Sequence, residues 1–379
     1  MNGDLSGADR PGAGTSPISP ASGRRFWGRL GRTLGPVLAA LAVGAIILLA
    51  LGRDPLAFYG DLFRAGLVSS SGWQGMITRM APLLLIGMGY IVAFRAGLWN
   101  IGGDGQFVLS AAFVAGLAPG VMQALPRGGG LALLALVGVV VGGLWTLLPA
   151  FLKAWYGVNE IITTLMMSFI GINLANLLIK GPWRSTETTV PQTGSVPLKD
   201  LLPQFGGTTI HVGILAGVAA VVIGWYMLDR HAAGLRLTVL GANPRAALHA
   251  GLHVRRIIVT TFFISGALIG LAAAVEILGV WGYMRADWNP GFGLALFALV
   301  FLARLSPLAM VPLAAFYAVL EIGGHEAARR AELDYDFILV LIALVLFFLA
   351  ASQFLMRSGD GRRAFARRAV SRLRPWRQR

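Results

Sequence analysis

Residues 87–120 read "GMGYIVAFRAGLWNIGGDGQFVLSAAFVAGLAPG". The runs at 87–99 and 107–120 are apolar enough to lie in a membrane, but "NIGGDGQ" at 100–106 separates them with an Asn, an Asp, a Gln and three glycines. Such residues are poor material for a lipid-facing helix, because polar groups without partners are costly in hydrocarbon. The segment therefore reads as a packing hinge at the cytoplasmic end of a span. Gly102, Gly103 and Gly105 allow tight turns and close helix approach. Asp104 stands where the next helix begins, favourable for an acid at the positive end of the helix dipole. The expected depth is near the inner face, just after a turn at Arg95.

Composition supports a membrane reading. The 379-residue chain is 56% hydrophobic and 13% charged, with a mean hydropathy of +0.70, whereas soluble domains carry about 25% charged residues. The predicted class is an all-α polytopic membrane protein of about ten transmembrane or broken helices with both termini cytoplasmic. Cysteine is absent, which excludes a disulfide framework, Cys-ligated zinc and a thiol nucleophile. The net charge of +15 does not point to nucleic acid, given where it lies. Arg24, Arg25, Arg29 and Arg32 crowd one end, and nine arginines follow residue 356. Basic ends beside apolar spans are what the positive-inside rule expects of cytoplasmic tails.

Residues 1–33 are polar and rich in Gly, Ser and Pro, and read as a disordered basic tail. "LGPVLAALAVGAIILLALG" (34–52) then resembles a signal peptide, but its apolar run is long enough to span and reads as an uncleaved first helix. Further apolar windows fall at 76–94, 100–122, 131–151, 160–179, 210–228, 257–281, 293–303, 307–322 and 337–355. With the amino terminus inside, the inner segments hold 22 of the 32 Lys and Arg. The membrane-spanning body is 34–356, and 357–379 is a second basic cytoplasmic tail. The windows 293–303 and 307–322 fall short of the ~20 residues a span needs. Joined by "ARLSP", they are expected to form a hairpin of short buried helices. Segment 181–209 is polar, Pro- and Thr-rich and external; it is either functional or a plain solvated connection.

No G-x-x-x-x-G-K-[ST] phosphate loop is present: the lysines are Lys153, Lys180 and Lys199, and none follows a glycine. The chain cannot cradle ATP in the usual way. "HEAAR" (325–329) lacks the second histidine of a zinc-protease motif, and no metal ligand set is expected. Asp104, Glu160 and Glu276 are the acidic candidates within spans. Arg79 reads as a snorkelling side chain, and Glu276 lies close to an outer boundary. Glu160 opens "NEIITTLMMSFIGIN" (159–173), where Thr163, Thr164, Met167 and Gly171 follow at helical spacing, with Asn173 and Asn176 beyond. That face either lines a substrate path or serves helix–helix hydrogen bonding. In the inner loop 229–256, Asn243 is a good N-cap, Pro244 suits the first helical position, and Gly251 can stop the helix in a left-handed conformation. This short helix is either a surface element or a docking knob.

Several of these stretches together resemble a known family. "FRAGLWNIGGDGQ" (94–106) is similar to the F-x-A-G-L-x-N-I-G-x-E-G-Q stretch of ABC-transporter permeases from the branched-chain amino acid, ribose and nucleoside importer group. "NEIITTLMMSFIGINLANLLIKGPW" (159–183), "LRLTVLGANPRAALHAGLHVRR" (235–256) and "FFISGALIGLAAAVEILG" (262–279) resemble its later blocks, in order. The resemblance covers roughly 76–355 and is to the simple-sugar/nucleoside branch, in particular the larger of its two permeases. It implies an inner-membrane subunit paired with a second, related permease and embedded in membrane lipid. Two cytoplasmic ATPase subunits would hold the ATP and Mg, the chain itself would bind no cofactor, and an extracytoplasmic binding protein would deliver a nucleoside or simple sugar.

The family's coupling helix maps onto Asn243, Pro244, Arg245, Ala246, Ala247, Ala250 and Gly251. Asn100, Asp104, Gln106, Glu160, Thr164 and Asn173 are expected near the pathway. Asp104 replaces the family's Glu, and "LARLSP" (302–307) replaces L-G-R-N-N-P, a change that bears on the substrate if those Asn residues hold a purine or ribose. The competing reading is a stand-alone secondary transporter using Asp104, Glu160 or Glu276 as a proton relay. A membrane-embedded transferase would need an interfacial catalytic cluster, which the sequence lacks.

Overall fold

The computed structural model describes residues 21–334 and 337–352, with side chains from residue 35 onward. Among the described residues the regular structure is helical, with no named strand. Residues 1–20 and 357–379, most of the two expected basic tails, lie outside them. Helix α1 (Ala21–Ala50) already covers the second part of the segment expected to be irregular. Among the described residues six helices are long and apolar enough to cross a membrane, or seven if a bent pair is one span.

Helix α2 (Pro55–Phe63) starts at an Asp54 cap and runs through a π-turn (Arg64–Val68) into α3 (Ser70–Arg95). Ser69 caps α3 by accepting from the Gly72 N–H. From Ala81 to Phe94 every residue of α3 is buried. A helix apolar on all sides belongs in the centre of a bundle, and α3 packs against α8, α11, α12 and α13. Helix α4 (Gly103–Ala124) follows, then α5 (Arg127–Trp145) and α6 (Leu147–Tyr156). The α5–α6 break falls at Thr146, where Pro149 has no N–H to return to the Trp145 carbonyl. The Thr146 hydroxyl donates to the carbonyls of Gly143 and Phe262.

Helix α7 (Glu160–Lys180) leads to the segment expected to be external, and α8 (Gly213–Asp229) leads to α9 (Ala232–Ala242) with a 70° bend. The short α10 (Pro244–His249) precedes α11 (Val254–Glu276), whose last turn is a π-helix (Ile277–Trp281). Then come α12 (Phe292–Leu302), α13 (Pro307–Arg330) and α14 (Phe337–Ser352).

Helices α5 and α11 approach most closely through glycine. Gly138 and Gly142 face Gly266 and Gly270, and a Cβ on Gly138 would lie 2.5 Å from the Gly270 carbonyl oxygen. Small residues at i and i+4 let membrane helices pack backbone to backbone.

One expectation needs revision, and one open alternative is narrowed. Window 307–322 is not a short helix: α13 runs 24 residues and meets the length test for a span. Its end was hidden from a hydropathy reading by His325, Glu326, Arg329 and Arg330. There Arg330 pairs with Asp61 at 3.2 Å and with Glu326 at 2.9 Å. Of the two windows, 293–303 alone forms a short element, the 11-residue α12. The segment 181–209 is also more than a solvated connection. Thr193 is fully buried, Val196 and Leu201 are buried, and the backbone of Thr193, Val196 and Leu202 bonds to the chain following α11 and to its last turn. It forms a packed cover over that end of α11.

Candidate functional site

The chain leaves α3 at Arg95, whose guanidinium holds the end of α8 through Asp229 at 2.6 Å and the α12–α13 turn through the Leu305 carbonyl at 3.0 Å. Gly97 then takes φ +69°, and a Cβ there would meet the Gly241 backbone at 2.9 Å, so both the turn and the close approach require glycine. After this turn the chain folds back into the protein. Asn100 and Gln106 exchange two side-chain hydrogen bonds, at 2.8 and 3.1 Å, and Asn100 also donates to the Ser265 hydroxyl at 2.9 Å. Ser265 is twelve residues into the 28-residue helix 254–281, so "NIGGDGQ" sits near the middle of α11. This corrects the expected placement at the inner face. Apolar pattern alone put the break at the end of a span, because it carries no sign of the fold-back.

The three glycines of this motif serve close approach and not turn geometry, since none has positive φ. A Cβ on Gly102 would lie 2.6 Å from the Thr164 carbonyl; on Gly103 it would strike the Tyr90 hydroxyl, and on Gly105 the backbone of Ser168. Helix α7 answers with matching donors and acceptors: the Thr164 hydroxyl accepts from the Ile101 N–H at 3.1 Å, and the Ser168 hydroxyl accepts from the Gly105 N–H at 2.8 Å. Asp104 opens α4, as its position suggests, but its carboxylate accepts from the Gly293 N–H at 2.7 Å and so caps the start of α12.

Of the six expected pathway residues, Asn100, Gln106 and Thr164 are buried in one knot with Asp104 beside them. Glu160 is one turn from Thr164, buried, and paired with Lys153 at 2.7 Å. Asn173 is separate: it lies on the exposed face of α7 and donates to the Phe169 carbonyl. Beside the knot is a group of aromatic rings. Phe94, Trp99 and Phe301 stack with centroids 5.2–5.7 Å apart, Phe297 packs against each of them, and Trp99 and Phe301 are exposed at 38% and 37%.

A second polar centre joins α3, α11 and α13. Arg79 meets Glu276 at 2.6 Å and Glu321 at 3.3 Å, the two carboxylates are almost wholly buried, and Trp281 donates to Glu276 at 3.0 Å. Arg79 is thus a half-buried partner of two buried carboxylates, not a snorkelling side chain. His211 packs against Gly279 nearby. Burial pushes its imidazole below the usual histidine range, partly offset by the Glu276 carboxylate. Ser168 was within reach of a sequence reading, four residues from Thr164 on the same face. The pairing of Arg79 with Glu321 leaves no trace in local pattern.

Among the described residues no group of His, Cys, Asp and Glu could hold a metal ion. The polar centres make internal contacts that order helices; they do not form a nucleophile–base pair. A family model described as branched-chain amino acid transport system / permease component matches residues 73–348.

The chain belongs to this permease family. It is similar to the glucose ABC transporter permease protein TsgB13 of Haloferax volcanii, at 35% identity over 87% of this chain and 90% of that one. It is similar to the guanosine ABC transporter permease protein NupP of Bacillus subtilis, at 29% over 86% and 94%. A third relative is the guanosine ABC transporter permease protein NupQ of the same organism, at 24% over 52% and 63%.

The permease's helix α10 is built as its sequence suggests. Asn243 caps it by accepting from the N–H groups of Arg245 and Ala246, Pro244 occupies the first turn, and Gly251 takes φ +77°. Ala247 is fully buried in a cluster with Ala96, Leu98, Ala150, Leu240, Ile258 and Phe262, while Asn243, Arg245, Leu248 and Ala250 are exposed. The permease's departure at 302–307 falls in the α12–α13 turn. Arg304 and Leu305 there have φ +53° and +57°, a conformation that Asn tolerates better than other side chains. Of the two Asn positions in the family pattern, 305 has positive φ, where Asn would suit the turn, whereas Ser306 takes φ −97° and caps α13.

Proposed function

We propose that this permease is the membrane subunit of an ATP-driven importer in the inner (cytoplasmic) membrane and passes a nucleoside or a simple sugar. The observation that carries the substrate class is the aromatic ledge of Trp99, Phe297 and Phe301 beside Asn100 and Asp104. A nucleobase or the apolar face of a sugar stacks on such rings without tight, directional bonding, and a transport site must release what it binds. The relatives named for glucose and guanosine point the same way. In this reading Asn100, Gln106 and Thr164 hold the ledge in position, and Asp104 fixes the helix that bears Phe297 and Phe301. Glu160 and Asn173 stay at the margin of the path.

The six long helices, the bent α8–α9 pair and three shorter apolar helices make up ten membrane elements, an even number that supports both termini on one side, and the basic ends favour the cytoplasmic side. The exposed face of α10 would dock a cytoplasmic ATPase subunit that supplies ATP and Mg chemistry, and an extracytoplasmic binding protein would deliver substrate on the opposite side. The pair of related guanosine permeases in one organism supports a second, different permease as partner. The stand-alone alternative fares poorly. Asp104 is engaged by Gly293, Glu160 by Lys153 and Glu276 by Arg79, so the three carboxylates do not form a relay.

The test is uptake of labelled guanosine and glucose by cells expressing the whole transporter. Trp99→Ala with Phe301→Ala should raise KM at least tenfold for the true substrate, from stacking worth about 1–3 kcal/mol per ring. An unchanged KM for both solutes would exclude the ledge as a binding surface.

A further inference from the structure

A groove of about 1000 Å³ lies beside α10, walled by the end of α6, by α10 and by the first two turns of α11. Leu248, Leu252, Val254 and Val259 give it an apolar floor, and Arg245, Arg255, Arg256 and His253 line it as well. No carboxylate lines it, and the chain has no Asp or Glu between Asp229 and Glu276. Among the described residues none of the three guanidiniums has an acidic partner; Arg255 instead lies over the Trp155 ring at 5.7 Å. All three arginines are exposed.

We propose that this groove binds the headgroup of an anionic phospholipid. Three uncompensated guanidiniums select phosphate, which Arg recognises in bidentate fashion. The apolar floor and the neighbouring surface select the rest of the ligand. Leu144, Leu148, Phe151 and Trp155 form an exposed stripe up α5 and α6, one candidate span, and Trp155 joins that stripe to the groove. Trp and Tyr at a helix end mark the level of lipid headgroups, and Tyr156 is the next exposed residue. A phospholipid meets both demands at once, with its phosphate on the arginines and its chains along the stripe. An acidic protein would satisfy the arginines but not the stripe. Because Arg245 belongs to α10, the lipid would touch the element proposed to couple ATP hydrolysis to transport. Basic pockets at cytoplasmic helix ends commonly hold such lipids.

The full chain, purified in mixed micelles, is titrated with phosphatidylglycerol and with phosphatidylcholine, and retained lipid is read by native mass spectrometry. Phosphatidylglycerol should be retained preferentially, and Arg255→Gln with Arg256→Gln should weaken it by about thirtyfold, at roughly tenfold or less per arginine. Arg236→Gln, on α9 outside the groove, should leave it unchanged, and so should inorganic phosphate added as a competitor. Equal retention of the two lipids, or unchanged retention in the double variant, overturns the proposal. Displacement by inorganic phosphate would make this a soluble-anion site and also overturn it. So would capture of the ATPase subunit that depends on Arg255 and Arg256 while lipid retention does not.

Discussion

Asn100 and Gln106 are reciprocal amides in a dry environment, so each satisfies the other. Asn100→Ala would strand the Gln106 side chain and the Ser265 hydroxyl, at a cost of about 2 kcal/mol for the buried groups left unpaired. A lowered melting temperature of the purified chain in detergent checks this; Asn100→Asp with unchanged melting would contradict it, since a buried carboxylate cannot replace the donated bonds. At Arg79 the effect is larger. Arg79→Gln leaves Glu276 and Glu321 buried without their cation, and breaking a buried pair from one side costs about 3–5 kcal/mol. Glu321→Gln, at the longer contact, should cost clearly less, and the two melting curves give the comparison directly. The sequence marked Asp104, Gln106 and Thr164 as unusual because polar groups stand out in apolar runs. It could not pair Arg79 with Glu321, since only the packing of α3 on α13 brings residues so far apart in the chain together.

Helix α10 separates two kinds of residue that a sequence motif presents as equivalent. Arg245 is exposed and Ala247 is fully buried. Arg245→Glu should leave melting unchanged and abolish pull-down of the ATPase subunit. Ala247→Arg, which from sequence alone looks like an equal probe of docking, should instead unseat α10 and lower stability by several kcal/mol, as expected for forcing a long charged side chain into a filled cluster. Pull-down by Arg245→Glu at wild-type levels would sink the docking assignment. The helix itself was readable because Asn243, Pro244 and Gly251 act locally, as cap, first turn and stop. The length of α13 was not, because its charged end is compensated by α2, a partner invisible to hydropathy. The α5–α11 contact is of the same non-local kind: Gly270→Ala would press a methyl group into the Gly138 carbonyl, with a cost of about 1–3 kcal/mol readable by melting.

At the scale of the molecule, two sets of charged contacts mark opposite ends. Arg53, Asp61, Glu332 and Arg330 tie α1, α2 and α13 at one end, while Arg95 and Asp229 join α3 and α8 at the other, next to α9 and α10. The aromatic ledge and the knot at "NIGGDGQ" lie between these ends, on helices held by glycine contacts and internal hydrogen bonds. The sequence has no phosphate loop, and Asp104, Glu160 and Glu276 are each engaged by a partner. In the proposed function the permease's motion is driven from outside, through α10. The direct test is reconstitution into sealed vesicles, with uptake of the labelled solute followed in two preparations. The chain alone, under an imposed proton or sodium gradient, is predicted to show no uptake, whereas the chain with its second permease, ATPase subunits and binding protein is predicted to accumulate solute only when ATP is supplied. Gradient-driven accumulation by the chain alone would contradict the account.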